Sequence, residues 1–333
     1  MNPVVRTTGL VKRYYGTLAV AGVDLTVAPG EIFGLVGPNG AGKTTILRML
    51  ATLLVPSAGD AEIGGFSVRR DADAVRRIIG YMPDTFGVYD DMRVWEYLDF
   101  FARCYGLPAA RRRQMISDLL DLVDLGDKRG AYVQALSRGM QQRLCLAHAL
   151  VHDPHVLLLD EPASGLDPRA RVELRELLRE LRSLGKTIVI SSHILPELEE
   201  LCSSVAVIDR GRVLASGRVE DIEARFKLGA VVRCRVLGDA QAIEAAVRTF
   251  EAEEAVVTVE RLRDATLELA LRGDEDAAAA VLTRSIAAGH RIASFAPAAS
   301  DLEELFLQIT ASEPVAGWRP DEQAVSESVG SDR

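Results

Sequence analysis

The chain has 333 residues, 48% of them apolar, enough for one large domain and a smaller second one. Thirty-nine basic against 48 acidic residues give a net charge of −9, which argues against a nucleic-acid partner held by bulk electrostatics. The four scattered cysteines (Cys104, Cys145, Cys202, Cys234), the lack of a leader pattern and the lack of any run near ~18 apolar residues predict a soluble, cytoplasmic protein that meets a membrane only through a partner.

From Val4 to about Ile208, short apolar runs alternate with helical patterns, the mark of an α/β domain with a mainly parallel sheet. Four runs, Glu31 to Gly37, His155 to Asp160, Thr187 to Ser192 and Val205 to Ile208, are almost continuously apolar, as strands buried on both faces should be. Between Asp84 and Pro154 the strand signal gives way to helical spacing, which predicts a helical subdomain at about 85–154. Within it, Arg111, Arg112 and Arg113 read as a solvated helix face, and Trp95, Leu98 and Phe101 as a core stripe. After Gly217 the order strand, helix, strand, strand, helix, strand (Val231 to Ala296) is that of a small α+β ferredoxin-like domain. A helix at 301–309 and a polar tail at 312–333 follow. The expected domains are thus 1–226, 227–311 and a disordered 312–333.

The strongest motif is "GPNGAGKTT", comprising Gly37, Pro38, Asn39, Gly40, Ala41, Gly42, Lys43, Thr44 and Thr45. It follows an apolar strand and opens a helix, so its glycines let backbone N–H groups wrap phosphates at a helix N-terminus. Lys43 is placed to reach the β- and γ-phosphates of ATP, and the Thr44 hydroxyl to bind Mg²⁺. In "HVLLLDEP" a second buried strand ends in acids, with Asp160 suited to hold Mg²⁺ and Glu161 to polarise a water. His148 and His152 share a helix face four residues apart, but no acidic third ligand accompanies them as in H-E-x-x-H, so they read as structural.

These motifs, with "LSRGMQQR" (Leu136 to Arg143), "SGLD" (Ser164 to Asp167) and "SSH" (Ser191 to His193), resemble in content and order the nucleotide-binding subunit of ABC transporters over about Val4 to Arg225. The resemblance implies a P-loop NTPase fold with N-terminal antiparallel strands, and a head-to-tail homodimer that sandwiches ATP. It implies that Ser137 and the Gly139 backbone contact the γ-phosphate across the dimer, with Gln141 beside them, and that Asp167 links the two sites. His193 would contact the γ-phosphate and the attacking water, Glu161 would be the general base, and Tyr14, or its neighbour Tyr15, would stack on adenine. Part of the Val88 to Tyr105 region would receive a helix of an integral-membrane permease, placing the chain on the inner face of the cell membrane. Arg138 and Met140 replace a glycine and the glutamine of the usual LSGGQ signature. That variant, and "DLEELFLQIT" after a small appended domain, resemble ABC-2-type exporters of the daunorubicin-resistance kind. An importer's ATPase, or a soluble cassette acting on ribosomes or DNA, are the alternatives; a single cassette without sustained heptads disfavours the latter.

"IIGYMPD" places Asp84 where the family usually has a glutamine. A carboxylate there can still offer oxygen to Mg²⁺, from a side chain about 1.5 Å shorter and with a negative charge added.

Overall fold

The computed structural model describes residues 3–297 apart from 86, 88–90, 195–197, 199, 220, 223–230, 263–264 and 274; the expected helix at 301–309 and the tail at 312–333 lie outside them. The first sheet is antiparallel and contains β1 (Val5–Tyr14), β2 (Thr17–Val27), β4 (Ala58–Ile63) and β5 (Phe66–Ser67) in the order β2-β1-β4-β5. Alternation along β1 and β2 buries Val5, Thr7, Leu10, Val20, Val23, Leu25 and Val27 and leaves the other residues partly or fully exposed, as a sheet with one wet face requires.

The second sheet holds β3 (Ile32–Val36), β6 (Ile79–Met82), β7 (Val156–Asp160), β8 (Thr187–Ser192), β9 (Ser204–Asp209) and β10 (Arg212–Arg218). Its order is β10-β9-β3-β8-β7-β6, all parallel except for β10, which pairs antiparallel with β9. Both faces are covered, which is why every residue of β3, β7 and β8 is buried. The two-residue period sorts them. Ile32, Val36, Leu157, Leu159, Ile188 and Ile190 face one core, while Phe33, Leu35, Val156, Leu158 and Val189 face the other.

The second of these cores lies against α1 (Lys43–Leu50), which buries Ile46, Leu47, Met49 and Leu50, and against the antiparallel sheet and α2 (Ala72–Ile78). Four other helices border the first core: α3 (Val94–Cys104), α4 (Ala109–Leu122), α5 (Arg138–Leu150) and α6 (Pro168–Ser183). Three of the four are entered through a physical stop. Glu96 accepts from the Arg93 amide at 2.8 Å to open α3, Ser137 caps α5, and Asp167 with Pro168 starts α6. In the core stripe of α3, Leu98 is fully buried and Phe101 packs partly buried, but Trp95 remains 36% exposed, so the stripe belongs to the core at two of its three positions.

His148 and His152 are packing groups. His148 stacks on Phe101 with centroids 3.7 Å apart, His152 stacks on Tyr105 at 3.9 Å, and the His152 Nε2 lies 2.8 Å from the Ile79 carbonyl, to which it can donate. Burial, with the neighbouring His152 adding to it, pushes His148 down to about 4.

The C-terminal sheet contains β11 (Val231–Val236), β12 (Val256–Arg261), β13 (Thr266–Leu271) and β14 (Ile292–Pro297), in the order β12-β13-β11-β14 and antiparallel throughout. With α7 (Ala240–Glu251) after β11 and α8 (Glu275–Ala287) after β13, this is the ferredoxin-like topology. Its own core centres on Cys234, Phe250, Leu269 and Val281.

Candidate functional site

The functional groups gather at the carboxyl ends of the parallel strands, where an open α/β sheet presents its crevice. Parity along the strands decides which side chains enter it. Asp160 continues the face of Val156 and Leu158, Ser191 that of Val189, and both therefore point to the side of the sheet that carries α1. Asp160 and Ser191 are also register partners between β7 and β8, and the Ser191 Oγ donates to the Asp160 Oδ1 at 2.8 Å. From α1, the Thr44 Oγ1 donates to the same oxygen at 3.0 Å.

Asp160 is completely buried, and its other oxygen, Oδ2, has no partner among the described residues. Burial raises its pKa, against the two hydroxyl donors that lower it, and the charges of Asp84 and Glu161 raise it further. A buried carboxylate in that position is short of positive charge. An oxygen set of one carboxylate and a threonine hydroxyl fits a hard divalent cation that takes its remaining ligands from phosphate and water. No group of three His, Cys, Asp or Glu among the described residues is spaced to hold a metal by itself.

Lys43 opens α1 and is only 5% exposed. Its ammonium donates to the Gly37 carbonyl at 2.6 Å and the Pro38 carbonyl at 3.3 Å, and lies 3.2 Å from the Glu161 Oε1. The N-cap of α1 is Gly42, at φ 111° and without a capping side chain, so the first-turn amides are left for an outside acceptor. A Cβ on Gly42 would stand 2.7 Å from the Ala19 carbonyl, besides straining a left-handed backbone. The turn between β9 and β10 secures the loop from behind: the Gly211 amide donates to the Ala41 carbonyl at 2.8 Å, and the Gly211 carbonyl accepts from the Ala21 amide at 2.8 Å.

Glu161 follows β7 in a left-handed conformation, with φ 48°, uncommon for a residue with a side chain. Its amide donates to the Ser191 Oγ at 2.9 Å, and its Oε2 lies 2.8 Å from the Nδ1 of His193, just beyond β8. One carboxylate thus joins the loop lysine on one side to a half-exposed histidine on the other. Asp84 is exposed beyond β6, yet close enough for its charge to act on both Asp160 and Tyr81.

The remaining predicted residues stand apart from this constellation. Ser137 begins α5, where its Oγ accepts weakly from the Met140 amide at 3.4 Å, and Gly139 follows in the first turn. The Gln141 side chain turns to the Val133 carbonyl at 3.3 Å, within its own subdomain. Asp167 caps α6 through the Ala170 amide at 2.9 Å. Tyr14 ends β1, 37% exposed with the Lys12 ammonium 5.3 Å over its ring; Tyr15 is fully exposed, at φ 38°. Sequence reasoning passed over Ser191 as an individual group, although it bridges Asp160 and Glu161; its place at the end of an apolar strand, one strand over from Asp160, was the available signal.

A phosphate-binding loop between β3 and α1, an acid at the end of β7, a helical insertion and a flanking antiparallel sheet define a P-loop nucleotide hydrolase of the ATP-binding cassette type. Residues 20–164 match the ABC transporter family model. Over 98% of its length the chain is 38% identical to the daunorubicin/doxorubicin resistance ATP-binding protein DrrA of Streptomyces peucetius, 97% of which is covered. It is 46% identical to a Nod factor export ATP-binding protein of Paraburkholderia xenovorans over 62% of this chain and 68% of that one. Among solved structures, the ATP-binding subunit of an ABC transporter superposes with a TM-score of 0.62 at 31% identity, covering 67% of this chain and 93% of the other. The chain belongs to the ABC transporter family and is an ATP-binding subunit with ATPase activity.

Proposed function

We propose that this chain hydrolyses Mg²⁺-ATP to drive export through a separate membrane-spanning subunit. The observation that carries the reading is the pairing of two small networks at one strand edge: Lys43 with Glu161 and His193, and Thr44 with Asp160 and Ser191. Phosphate oxygens would replace Glu161 and the loop carbonyls as acceptors for Lys43, freeing the Glu161 carboxylate to act as general base on water. His193 would orient that carboxylate through Nδ1 and present its other ring edge to the γ-phosphate. Thr44, Asp160 and Asp84 would hold Mg²⁺, which would neutralise charge on the phosphates. Asn39, Gly40, Gly42 and Thr45 would supply loop and first-turn contacts to the phosphates, and Tyr14 the platform for adenine.

The start of α5 is open, since Ser137 and Gly139 make no bond to the loop of their own subunit among the described residues. A second copy arranged head to tail would present this helix N-terminus to the γ-phosphate, with Gln141 and Asp167 at the joint. Among the described residues no helix is long and apolar enough to cross a membrane, so attachment to the inner face of the membrane would run through the permease. Export is favoured by the names of the relatives, one in daunorubicin and doxorubicin resistance and one in Nod factor export.

Glu161→Gln tests the reading. Steady-state ATP turnover should fall at least a hundredfold while ATP binding persists and the dimer accumulates. Turnover within a fewfold of the parent would remove Glu161 as base.

A further inference from the structure

The first turns of α5 lie along the loop that carries Glu161, through three contacts one helical turn or less apart. The Arg138 guanidinium rests on Gly165, so closely that a Cβ there would stand 2.5 Å from its Cζ; Gly165 itself is at φ 69°. A Cβ on Gly139 would meet the Leu166 Cδ2 at 3.5 Å, which is ordinary van der Waals contact. One turn further, the Gln142 Nε2 donates to the carbonyl of Pro162, the residue after Glu161. Positions 138, 139 and 142 share a helix face, so one rigid surface tracks residues 162 to 166.

Gln142 is the informative member. It is only 6% exposed, and its Oε1 is buried with no donor among the described residues. A buried amide with one half unsatisfied forfeits the hydration of that half, so the residue is a poor choice for stability alone. Its satisfied half holds a loop that is strained at Glu161, with φ 48°, and borders open space: Glu161, Pro162 and Ala163 line a cavity of about 270 Å³ whose far wall includes Val172, Leu174 and Leu178 of α6. Toward the sheet the loop is tied by the bond from the Glu161 amide to the Ser191 Oγ.

We infer that Gln142 is a positioning residue for hydrolysis: its bond to the Pro162 carbonyl fixes the Glu161 carboxylate and couples it to the α5 segment that begins at Ser137. The inference rests on Glu161 being the base. It makes α5 a lever between two sites, because the end offered to a partner's nucleotide continues into the contact that aims the base of its own subunit. Arg138, in place of the signature glycine, adds a second hold on the same loop.

Gln142→Met keeps the volume and removes the donor; Gln142→Glu keeps the shape and reverses the polarity toward Pro162. Both should lower kcat about tenfold with KM for ATP changed less than twofold, and Gln142→Met should leave Tm unchanged or raised. In the Glu161→Gln background, Gln142→Met should lower the residual rate no further. Parental kcat in both variants alongside a dead Glu161→Gln overturns the inference and spares the base. A fall in Tm that accounts for the lost activity, or an undiminished tenfold effect in the Glu161→Gln background, also overturns it. Turnover retained in Glu161→Gln overturns the base and the inference together.

Discussion

Ser191→Ala isolates the group on which both halves of the site depend. The Ser191 Oγ donates to the Asp160 Oδ1 at 2.8 Å and accepts from the Glu161 amide at 2.9 Å, and the residue is fully buried. A hydrogen bond to a carboxylate contributes about 1.5–3 kcal/mol, and a buried amide left without an acceptor costs about 1–3 kcal/mol. Thr44 still donates to the same Asp160 oxygen, and removing one hydroxyl leaves little space, so the sum is tempered to about 2–4 kcal/mol. The loss should appear in urea unfolding as a lower midpoint at unchanged m-value. The kinetic consequence follows from backbone strain. The left-handed Glu161 persists only while its surroundings over-determine it, and without the Ser191 acceptor its carboxylate should leave the pair with His193. Turnover should therefore fall about tenfold or more, with ATP affinity little changed. A stability loss under about 0.5 kcal/mol together with parental turnover would refute the bridging role of the hydroxyl.

Two further outcomes follow from charge. The folded-state pKa of His148 is lowered to about 4, below its ordinary value of 6.5, so the unfolded chain binds the proton more readily between those values. Its stabilising contribution is complete above pH 6.5 and is lost as pH falls toward 4, on the order of 3 kcal/mol in all; a His148→Leu variant should flatten the unfolding midpoint over that window, and an unchanged slope would contradict the burial argument. At Asp84 a neutral side chain should weaken metal use, because its charge acts on Asp160 directly. For Asp84→Gln we expect the free Mg²⁺ needed for half-maximal turnover to rise a few-fold, with metal-free nucleotide binding unchanged or tighter; superimposable Mg²⁺ curves would rule out a ligand role.

What could be read from the sequence was what local pattern determines. Five-residue apolar runs became β3 and β7, and the order of elements from Val231 to Pro297 is the expected one, because period and turn chemistry act within one segment. Strands such as β4, β5 and β10 carry no comparable run. They are strands because neighbours lend them a ladder, as β1 does for β4 and β9 for β10. The same division governs the site. Lys43, Asp160 and Glu161 announce themselves by motif, whereas Ser191 matters through its register opposite Asp160, and pairing between strands about thirty residues apart is not written in either strand. Gln141 and Gln142 are indistinguishable as letters. Helix phase alone sends the first to Val133 and the second to Pro162, the residue after Glu161.

That phase argument also explains how a cassette with an altered signature can keep its chemistry. The substituted positions, Arg138 and Met140, flank Gly139, so a residue without a side chain is retained in the first turn. Arg138 puts a permanent cation at a helix N-terminus, where the macrodipole disfavours it, unless an anion or a packing surface compensates. Gly165 is such a surface: with no side chain and a left-handed backbone it accepts the flat guanidinium where any other residue would have to displace it. The substitution thus adds a contact between the start of α5 and the Ser164–Asp167 turn. Any motion of that turn must then shift Arg138 and the start of α5 together.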